Sequence, residues 1–344
     1  MRITHIIFSL QNGGAENLLV DIVNHQSNEH TVCLVIINDK IDYSLLSAIN
    51  SRVKIYSLKR IEGSFSPFLF LRMNLLLMLF NPDAIHCHNE NIISTLFLFF
   101  KKKTYLTVHE TNVDVNYLPK YHGLFAISKS VQQYIFSEKR LQSRVNYNGV
   151  RIGDIVQKQH LQCSHPFRIV QVSRLSHLIK GQHLLIKAIS ELKKKGYSIK
   201  ADLIGAGESK NYLSELVVML QLQEEITFED NWDRKKVYDS LSNYDLLVQP
   251  SLYEGFGLTV VEAMAARVPV LASKIDGPAE IIQDEKYGYL FDTNNYYDLA
   301  DKIKYIIDHY AESCDKVLSA TEYVKNNFDI VLTAQRYTEL YQKA

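Results

Sequence analysis

Two carboxylates on either side of a glycine-rich turn form the most informative pattern in this chain. The segment Tyr253–Ala263 reads YEGFGLTVVEA and places Glu254 and Glu262 eight residues apart. It follows an expected strand, Leu246–Gln249, and its second half has the apolar spacing of a helix. The two intervening glycines let the backbone approach a ligand closely, and the amides at a helix start favour an anion. The pattern predicts an anion site, with an ordinary turn and two solvated carboxylates as the alternative.

Two cations follow another expected strand. Arg174 comes two residues after Arg168–Val172, and Lys180 directly precedes the expected helix Gly181–Lys195. Arginine can hold phosphate through two parallel hydrogen bonds and lysine acts as a point charge, so the pair suits a diphosphate. The alternative is a pair of solvated surface cations. The glycine-alanine-glycine turn that begins at Gly205 is weak alone and gains weight only from these neighbours.

The first half of the chain has a second set of candidates. The turn Asn12–Glu16 (NGGAE) follows the first expected strand and opens a helix, which suits an anion, but it lacks the GxGxxG dinucleotide fingerprint. His109 ends another expected strand. His86 and His88 invite a metal-site interpretation, although two histidines at a strand end are more often cleft lining or capping residues.

Short β-branched runs alternate with helical patterns along the chain, which is typical of parallel α/β sheets. The first half has the expected strands Ile3–Phe8, Thr31–Ile37, Val53–Leu58, Ala84–His88, Thr104–Val108, Gly123–Ile127 and Val145–Tyr147. The second half has Arg168–Val172, Lys200–Ile204, Ile226–Phe228, Leu246–Gln249 and Pro269–Ala272. Expected helices include Glu16–His25, Ser66–Phe80, Gly181–Lys195, Lys210–Leu222, Lys235–Leu241, Val260–Ala266 and Tyr297–His309.

The alternation predicts two Rossmann-like, doubly wound domains. The first spans residues 1–150 and the second spans 167–327, with a polar linker at 151–166. A terminal helix at 328–344 is expected to pack back on the first domain. Such sheets place their ligand crevices at the carboxyl ends of the strands, and facing domains would combine the two crevices into one cleft.

Composition limits the functional classes. The 344 residues carry no net charge and 47% are hydrophobic, which supports two cores and excludes wholesale disorder. The four cysteines (Cys33, Cys87, Cys163 and Cys314) form no CxxC pair, which argues against a disulfide framework or a zinc site. The amino terminus lacks the pattern of a signal peptide, so we expect a cytoplasmic location. No nucleic-acid partner is expected.

The charge is unevenly distributed. Residues 1–165 carry 17 Lys and Arg against 12 Asp and Glu, whereas residues 166–344 carry 21 against 26. A basic first half can attract anionic lipids or a phosphate-bearing acceptor, with chance asymmetry as an equal alternative. Peripheral contact with the inner face of a membrane is therefore a hypothesis, with Lys101–Lys103 and Arg140 as charged contacts and Phe68–Phe80 as an apolar wedge. A core helix over Phe68–Phe80 is the favoured alternative.

Together, the motifs of the second half resemble the carboxyl-terminal domain of the family-4 retaining glycosyltransferases, which have the GT-B fold. Those enzymes have an Arg and a Lys-Gly after the first strand, a GxG turn, an E-x7-E motif and a trailing G-x-x-E-I. All occur here in order between residues 168 and 290, the last as GPAEI from Gly277. The first half is similar to the family's GGxE turn and to its histidine at a strand end. The resemblance covers nearly the whole chain.

The resemblance implies a donor site built from the matching residues. Arg174 and Lys180 correspond to the diphosphate-binding pair, and Glu262 corresponds to the residue that hydrogen-bonds the nucleotide ribose. Glu254 and His109 correspond to residues near the transferred sugar and are the catalytic candidates. The remaining donor-binding positions are Gly14, Gly205, Gly257, Leu258 and Thr259, the last two through their amides.

The implied activity is retaining transfer of a sugar from a UDP- or GDP-linked donor to a glycan or lipid-linked acceptor, as in surface polysaccharide synthesis. No DxD motif is present, in agreement with the family's general metal independence, so no cofactor is expected.

Two positions depart from the family: Arg267 stands where glycine is common, and Phe228–Trp232 lacks a glycine of the base-contacting turn, which leaves the identity of the base open. The alternatives are a nucleotide-sugar epimerase on the same fold, a phosphorylase, for which no pyridoxal motif is found, and an inactive partner subunit.

Overall fold

The computed structural model describes residues 1–11, 13–64 and 66–342. The chain divides into two compact units, each with its own parallel sheet. Unit 1 comprises Met1–Gly149 together with Phe328–Ala344, and unit 2 comprises Val150–Asn327. Most strands are buried on both faces, as expected for a parallel sheet that is covered by helices.

Unit 1 contains a seven-stranded parallel sheet in the order β3-β2-β1-β4-β5-β6-β7. Its strands are β1 (Arg2–Ile7), β2 (Thr31–Asn38), β3 (Lys54–Arg60), β4 (Ala84–Cys87), β5 (Thr104–Val108), β6 (Gly123–Ala126) and β7 (Arg144–Val145). Its helices are α1 (Gly14–Gln26), α2 (Tyr43–Ser47), α3 (Pro67–Phe80) and α4 (Lys129–Lys139), with 3₁₀ turns at Glu90–Thr95, Leu98–Lys103 and Leu118–Lys120. The strand order reverses at β1, which pairs with both β2 and β4, and ligands bind at such a switch point.

Unit 2 contains a six-stranded parallel sheet in the order β10-β9-β8-β11-β12-β13. Its strands are β8 (Phe167–Val172), β9 (Ile199–Ile204), β10 (Ile226–Glu229), β11 (Leu246–Gln249), β12 (Val270–Ser273) and β13 (Tyr289–Phe291). Its helices are α5 (His177–Lys180), α6 (Gln182–Lys194), α7 (Lys210–Met219), α8 (Arg234–Ser240), α9 (Leu258–Ala265), α10 (Asp276–Ile282), α11 (Tyr296–Asp308) and α12 (Tyr310–Asn327). Here the order reverses at β8, which pairs with β9 and β11.

The segment 151–166, predicted as a linker, packs on unit 2. Ile152 and Ile155 are buried, and the amide of Lys158 donates to the carbonyl of Ala266. The Lys158 ammonium also lies 2.7 Å from the buried Asp245 carboxylate. Individual contacts of this kind hold the segment on unit 2. Its sequence therefore shows no helical or alternating apolar period.

The last helix, α13 (Ile330–Gln342), belongs to unit 1. It packs against α1, and its Ile330, Tyr337 and Tyr341 join a core cluster with Ile3 and Leu18. The end of the predicted helix, residues 343–344, lies outside the described residues. Within the described part of the chain, no helix combines the length and hydropathy that a membrane span requires.

Candidate active site

Gly181 brings the turn after β8 against the end of β11. Its φ is +66°, and a β-carbon on it would lie 1.8 Å from the carbonyl oxygen of Pro250. Only glycine tolerates both the left-handed backbone and this close approach. As a result Lys180, the last residue of α5, lies beside the loop that carries Glu254, although the two residues are 74 positions apart.

Lys180 and Glu254 form an ion pair at this edge of the sheet. The Lys180 Nζ atom donates to Glu254 Oε2 at 2.8 Å, and the two side chains are 22% and 18% exposed. Gln249 Nε2 donates to the same carboxylate oxygen at 2.8 Å, while Thr259 Oγ1 donates to Gln249 Oε1 at 3.0 Å. This chain of hydrogen bonds holds the Glu254 carboxylate between β11, its loop and α9. Gln249 was not predicted as a site residue; its signal was a polar residue at the end of an apolar strand.

The start of α9 supplies free backbone donors next to this ion pair. Gly257 precedes the helix with φ +105°, and Leu258 and Thr259 are its first two residues. The amides of these first residues have no carbonyl acceptor within the helix. They can therefore donate to an anion, which the helix dipole also favours. Glu262 lies in the second turn of α9 and is half-buried. The predicted strand–turn–helix is therefore present, with the helix beginning two residues earlier than expected.

Two further glycines hold neighbouring loops against this edge. A β-carbon on Gly205, which has φ +141°, would lie 2.1 Å from the carbonyl oxygen of Ser173. A β-carbon on Gly277 would lie 2.6 Å from the amide nitrogen of Phe256. The GxG turn and the trailing GPAEI motif thus pack directly on the Arg174 turn and on the glycine-rich turn before α9.

Arg174 lies on the turn after β8 with an exposed side chain. Its carbonyl oxygen accepts from the buried Gln182 Nε2 at 2.8 Å, which anchors its backbone. The pKa of Glu208 is lowered, mainly by a hydrogen bond from Ser176 and to a smaller extent by the charge of Arg174. The two predicted diphosphate ligands therefore share one sheet edge but differ in environment, since Lys180 is paired with Glu254 and Arg174 is exposed.

In unit 1, the predicted candidates lie at the ends of β1 and β5. Gly14 is the exposed first residue of α1, and burial raises the pKa of the nearby Glu16. His109 directly follows β5, and burial lowers its pKa to about 4. Its buried Nε2 atom has no hydrogen-bond partner among the described residues, which leaves it available to a ligand. Asn12, the first residue of the predicted glycine turn, lies outside the described residues.

His86 and His88 belong to a buried histidine cluster rather than to a cleft lining. His5 Nδ1 lies 3.1 Å from His88 Nε2, and His5 Nε2 lies 2.8 Å from Gln26 Oε1. Both ring nitrogens of His86 are also engaged, with the Tyr341 hydroxyl at 2.6 Å and Thr107 Oγ1 at 2.7 Å. One nitrogen from each of His5, His86 and His88 lies within 4.8 Å of the others, so a metal could fit only by replacing these hydrogen bonds.

A pocket of about 390 Å³ opens at the carboxyl ends of β1 to β4 in unit 1. Arg60 Nε donates to Asn38 Oδ1 at 2.9 Å, and the guanidinium lies 5.1 Å from the Phe8 ring centroid. Asn89 Oδ1 accepts from the Phe8 amide at 3.0 Å, and Glu16 also lines the pocket. The sequence prediction did not include this polar pocket. Polar residues at strand ends, which also characterise Gln249 in unit 2, are the sequence feature that could have indicated it.

Comparison with known proteins agrees with this architecture. Residues 154–323, about half of the chain, match the family described as "Glycosyl transferases group 1". The chain is 25% identical over 343 residues to the Campylobacter jejuni N-acetylgalactosamine-N,N'-diacetylbacillosaminyl-diphospho-undecaprenol 4-alpha-N-acetylgalactosaminyltransferase, covering 88% of this chain and 89% of that protein. It is 26% identical over 178 residues to a Staphylococcus aureus poly(ribitol-phosphate) alpha-N-acetylglucosaminyltransferase, covering 52% of this chain but only 34% of that one.

The fold extends over the full length of a solved relative. Anabaena HepE in complex with UDP-glucose superposes with a TM-score of 0.83 at 21% identity and covers 100% of both chains. The chain therefore belongs to the glycosyltransferases of the GT-B fold, so the predicted glycosyltransferase family and α/β GT-B fold class are confirmed, while retention stays a prediction. The roles assigned to individual site residues stay predictions.

Proposed function

We propose that this chain transfers a sugar, with retention of anomeric configuration, from a UDP- or GDP-linked donor to a glycan or lipid-linked acceptor. The observation that carries the proposal is the edge of the unit 2 sheet, where the Lys180–Glu254 ion pair adjoins the start of α9. The Lys180 cation and the free amides there match the charge of a diphosphate, and the half-buried Glu254 carboxylate beside them would face the sugar. Arg174 on the same edge adds a second cation.

The diphosphate gains negative charge as the glycosidic bond breaks, so groups that bind it tightly also lower the barrier. Arg174, Lys180 and the amides of Leu258 and Thr259 would stabilise that charge without a metal. Glu262 would bind the ribose. In the proposed reaction the bond from the anomeric carbon to the phosphate oxygen breaks, and a bond to the acceptor oxygen forms on the same face. The leaving phosphate oxygen takes the acceptor proton.

Glu254 and His109 would act on the sugar. The Glu254 carboxylate is fixed by Lys180 and Gln249, so it can orient the sugar or stabilise positive charge on it. The buried Nε2 of His109, held neutral because burial lowers its pKa to about 4, can donate or accept one hydrogen bond to a sugar hydroxyl.

The acceptor would use the unit 1 pocket beside Arg60, Asn38 and Asn89, whose polar groups suit sugar hydroxyls. The relatives' names support this class of reaction: one carries an undecaprenol-linked acceptor in its name, and HepE binds UDP-glucose. We place the reaction in surface polysaccharide synthesis on the cytoplasmic side of a membrane.

A screen of nucleotide sugars for thermal stabilisation tests the donor. A true donor at 100 times its dissociation constant should add about 2.7 kcal/mol to the free energy of unfolding. Proton NMR of the product made with that donor should then show the donor's anomeric configuration in the new linkage. An inverted linkage contradicts retention, and conversion of the donor sugar to an epimer without acceptor favours the epimerase alternative.

A further inference from the structure

The outer face of α3 is apolar and uncovered. Its exposed residues are Phe68 (72%), Leu71 (46%), Leu75 (48%), Met78 (51%) and Leu79 (85%). Phe68, Leu71, Leu75 and Met78 follow one another at three- or four-residue spacing, and Leu79 lies four residues after Leu75, so all five lie on one side of the helix. The opposite face, with Met73 and Leu77, is buried. The helix is thus apolar on both sides, whereas a surface helix of a soluble domain normally has a polar outer face.

A neighbouring 3₁₀ turn extends this apolar surface. Asn74 fastens α3 to the chain before that turn: its Nδ2 donates to the Thr95 carbonyl at 2.8 Å, and its Oδ1 accepts from the Phe97 amide at 2.7 Å. The turn then exposes Leu98 (78%) and Phe99 (56%). We define the α3 patch as Phe68, Leu71, Leu75, Met78, Leu79, Leu98 and Phe99.

The charges around the α3 patch are positive. Arg72 is exposed on the same helix face, and Lys101 and Lys102 follow the buried Phe100, which comes after Phe99. Residues 63–82 and 91–109 contain no Asp or Glu. An apolar surface with a cationic rim is complementary to an anionic bilayer, whose headgroups attract Lys and Arg while its acyl region accepts the apolar side chains. A two-fold pairing of this patch with itself would instead bring like charges together.

We propose that the α3 patch docks unit 1 on an anionic lipid surface, with α3 lying in the plane of the interface. The apolar side chains enter the headgroup–acyl boundary and the cations contact lipid phosphates. The segment Phe68–Phe80, expected from the sequence to be either an apolar wedge or a core helix, is buried on one face and exposed on the other. Arg140 is left out, because it lies at the end of α4, which contributes no residue to the α3 patch. Docking requires neither donor nor turnover, so it stands apart from the proposed sugar transfer.

Co-sedimentation with vesicles of phosphatidylcholine, with and without phosphatidylglycerol, tests the proposal. The wild-type protein should bind the anionic vesicles at low salt. Its binding should weaken as added salt screens the cations around the α3 patch. Leu75→Glu/Leu79→Glu should lower the partition coefficient about tenfold or more. The matched control is Val218→Glu/Met219→Glu, which makes the same kind of change at exposed apolar residues at the end of α7 and should bind like wild type. Lys101→Gln/Lys102→Gln should reduce the preference for anionic lipid.

A second measurement does not depend on the folding of the charged variant. Leu79→Trp adds a reporter at the most exposed position of the patch, and brominated lipids should quench it well beyond the level seen for Trp232 alone in the wild type. Absence of wild-type binding to anionic vesicles at low salt would overturn the proposal. So would equal binding by the Leu75→Glu/Leu79→Glu variant in its folded form. A concentration-dependent dimer that this variant abolishes, without vesicle binding, would assign the α3 patch to a second copy instead.

Discussion

The Lys180 ammonium lies 2.8 Å from the Glu254 carboxylate. The sequence assigned these two residues to different parts of a donor, the lysine to the diphosphate and the glutamate to the sugar. Their direct contact means that the cation and the carboxylate orient each other before any ligand arrives. Because both side chains are mostly buried, removal of either one leaves a partly desolvated charge, and the two substitutions should not be additive.

Glu254→Gln and His109→Ala should separate turnover from nucleotide binding. Both groups are proposed to contact the sugar, so kcat should fall by about 100-fold or more. The affinity for the nucleoside diphosphate should not weaken, because the amide oxygen introduced by Glu254→Gln can still accept from Lys180, which keeps its charge for the diphosphate. Steady-state kinetics and calorimetry with the free nucleotide measure the two quantities. Equal losses in turnover and in nucleotide affinity would contradict this division of roles.

Glu262→Gln should show the opposite behaviour toward the nucleotide. Its position in the second turn of α9 matches a ribose contact, so the variant should bind both free nucleoside diphosphate and full donor more weakly, by about 1–3 kcal/mol. Glu254→Gln serves as the matched control in the same motif. If calorimetry finds wild-type nucleotide affinity for Glu262→Gln, the assignment of Glu262 to the ribose is wrong.

Arg267→Gly should leave unit 2 more stable than Arg267→Ala does. Arg267 follows the end of α9 with φ +60°, a left-handed conformation that favours glycine, and its amide donates to the Met264 carbonyl at 3.2 Å. Because Arg267→Ala removes the side chain but keeps a β-carbon, the glycine variant should exceed the alanine variant by about 1–2 kcal/mol in free energy of unfolding. Urea unfolding followed by Trp232 fluorescence reports on this unit. Equal stability of the two variants would show that the backbone conformation carries no cost here.

Unit 1 should lose stability in acid through its buried histidines. Burial lowers the pKa of His5 from 6.5 to about 4, and burial likewise holds the pKa values of His86 and His88 well below the usual range. The unfolded chain therefore binds protons that the folded chain does not, so this stability is present above about pH 6.5 and falls toward pH 4.

Each such imidazole contributes up to about 1.4 kcal/mol per pH unit in that window. Urea unfolding followed by circular dichroism between about pH 7 and pH 5 should show a shallower pH dependence for His5→Gln than for wild type. His160→Gln, at an exposed histidine, is the control and should keep the wild-type slope. Identical slopes for all three proteins would contradict the prediction.

The sequence predicted the sheets better than their connections. Twelve of the strands were predicted within about two residues, because buried parallel strands are β-branched and apolar. The strand Tyr289–Phe291 and the helices α2, α4, α5, α10 and α12 were not predicted. The Gly-Pro pair at Gly277 reads as a turn, and the buried face of α12 uses small residues such as Cys314, Ala320 and Thr321, which give a weak apolar period.

For the site, the motifs predicted which residues share an edge but not how they pair. Arg174, Gly205 and Glu254 follow strands, and the carboxyl ends of parallel strands meet at one edge. The Lys180–Glu254 contact depends on the fit of Gly181 against the Pro250 carbonyl, which only the folded chain defines. The same holds for Gln249 and for His5, whose partners lie on other elements.

The central claim is that Arg174 and Lys180 hold the leaving diphosphate in place of a metal. Donor consumption by wild type, Arg174→Ala and Arg174→Lys, each with and without excess EDTA, tests it most directly. Arg174→Ala should lose about 2–4 kcal/mol of transition-state stabilisation, about 30- to 1,000-fold, in kcat and kcat/KM together. Arg174→Lys should recover only part of this, because a point charge cannot replace a two-pronged contact. EDTA should leave wild-type activity intact, whereas full activity of Arg174→Ala, or complete loss on chelation, would contradict the account.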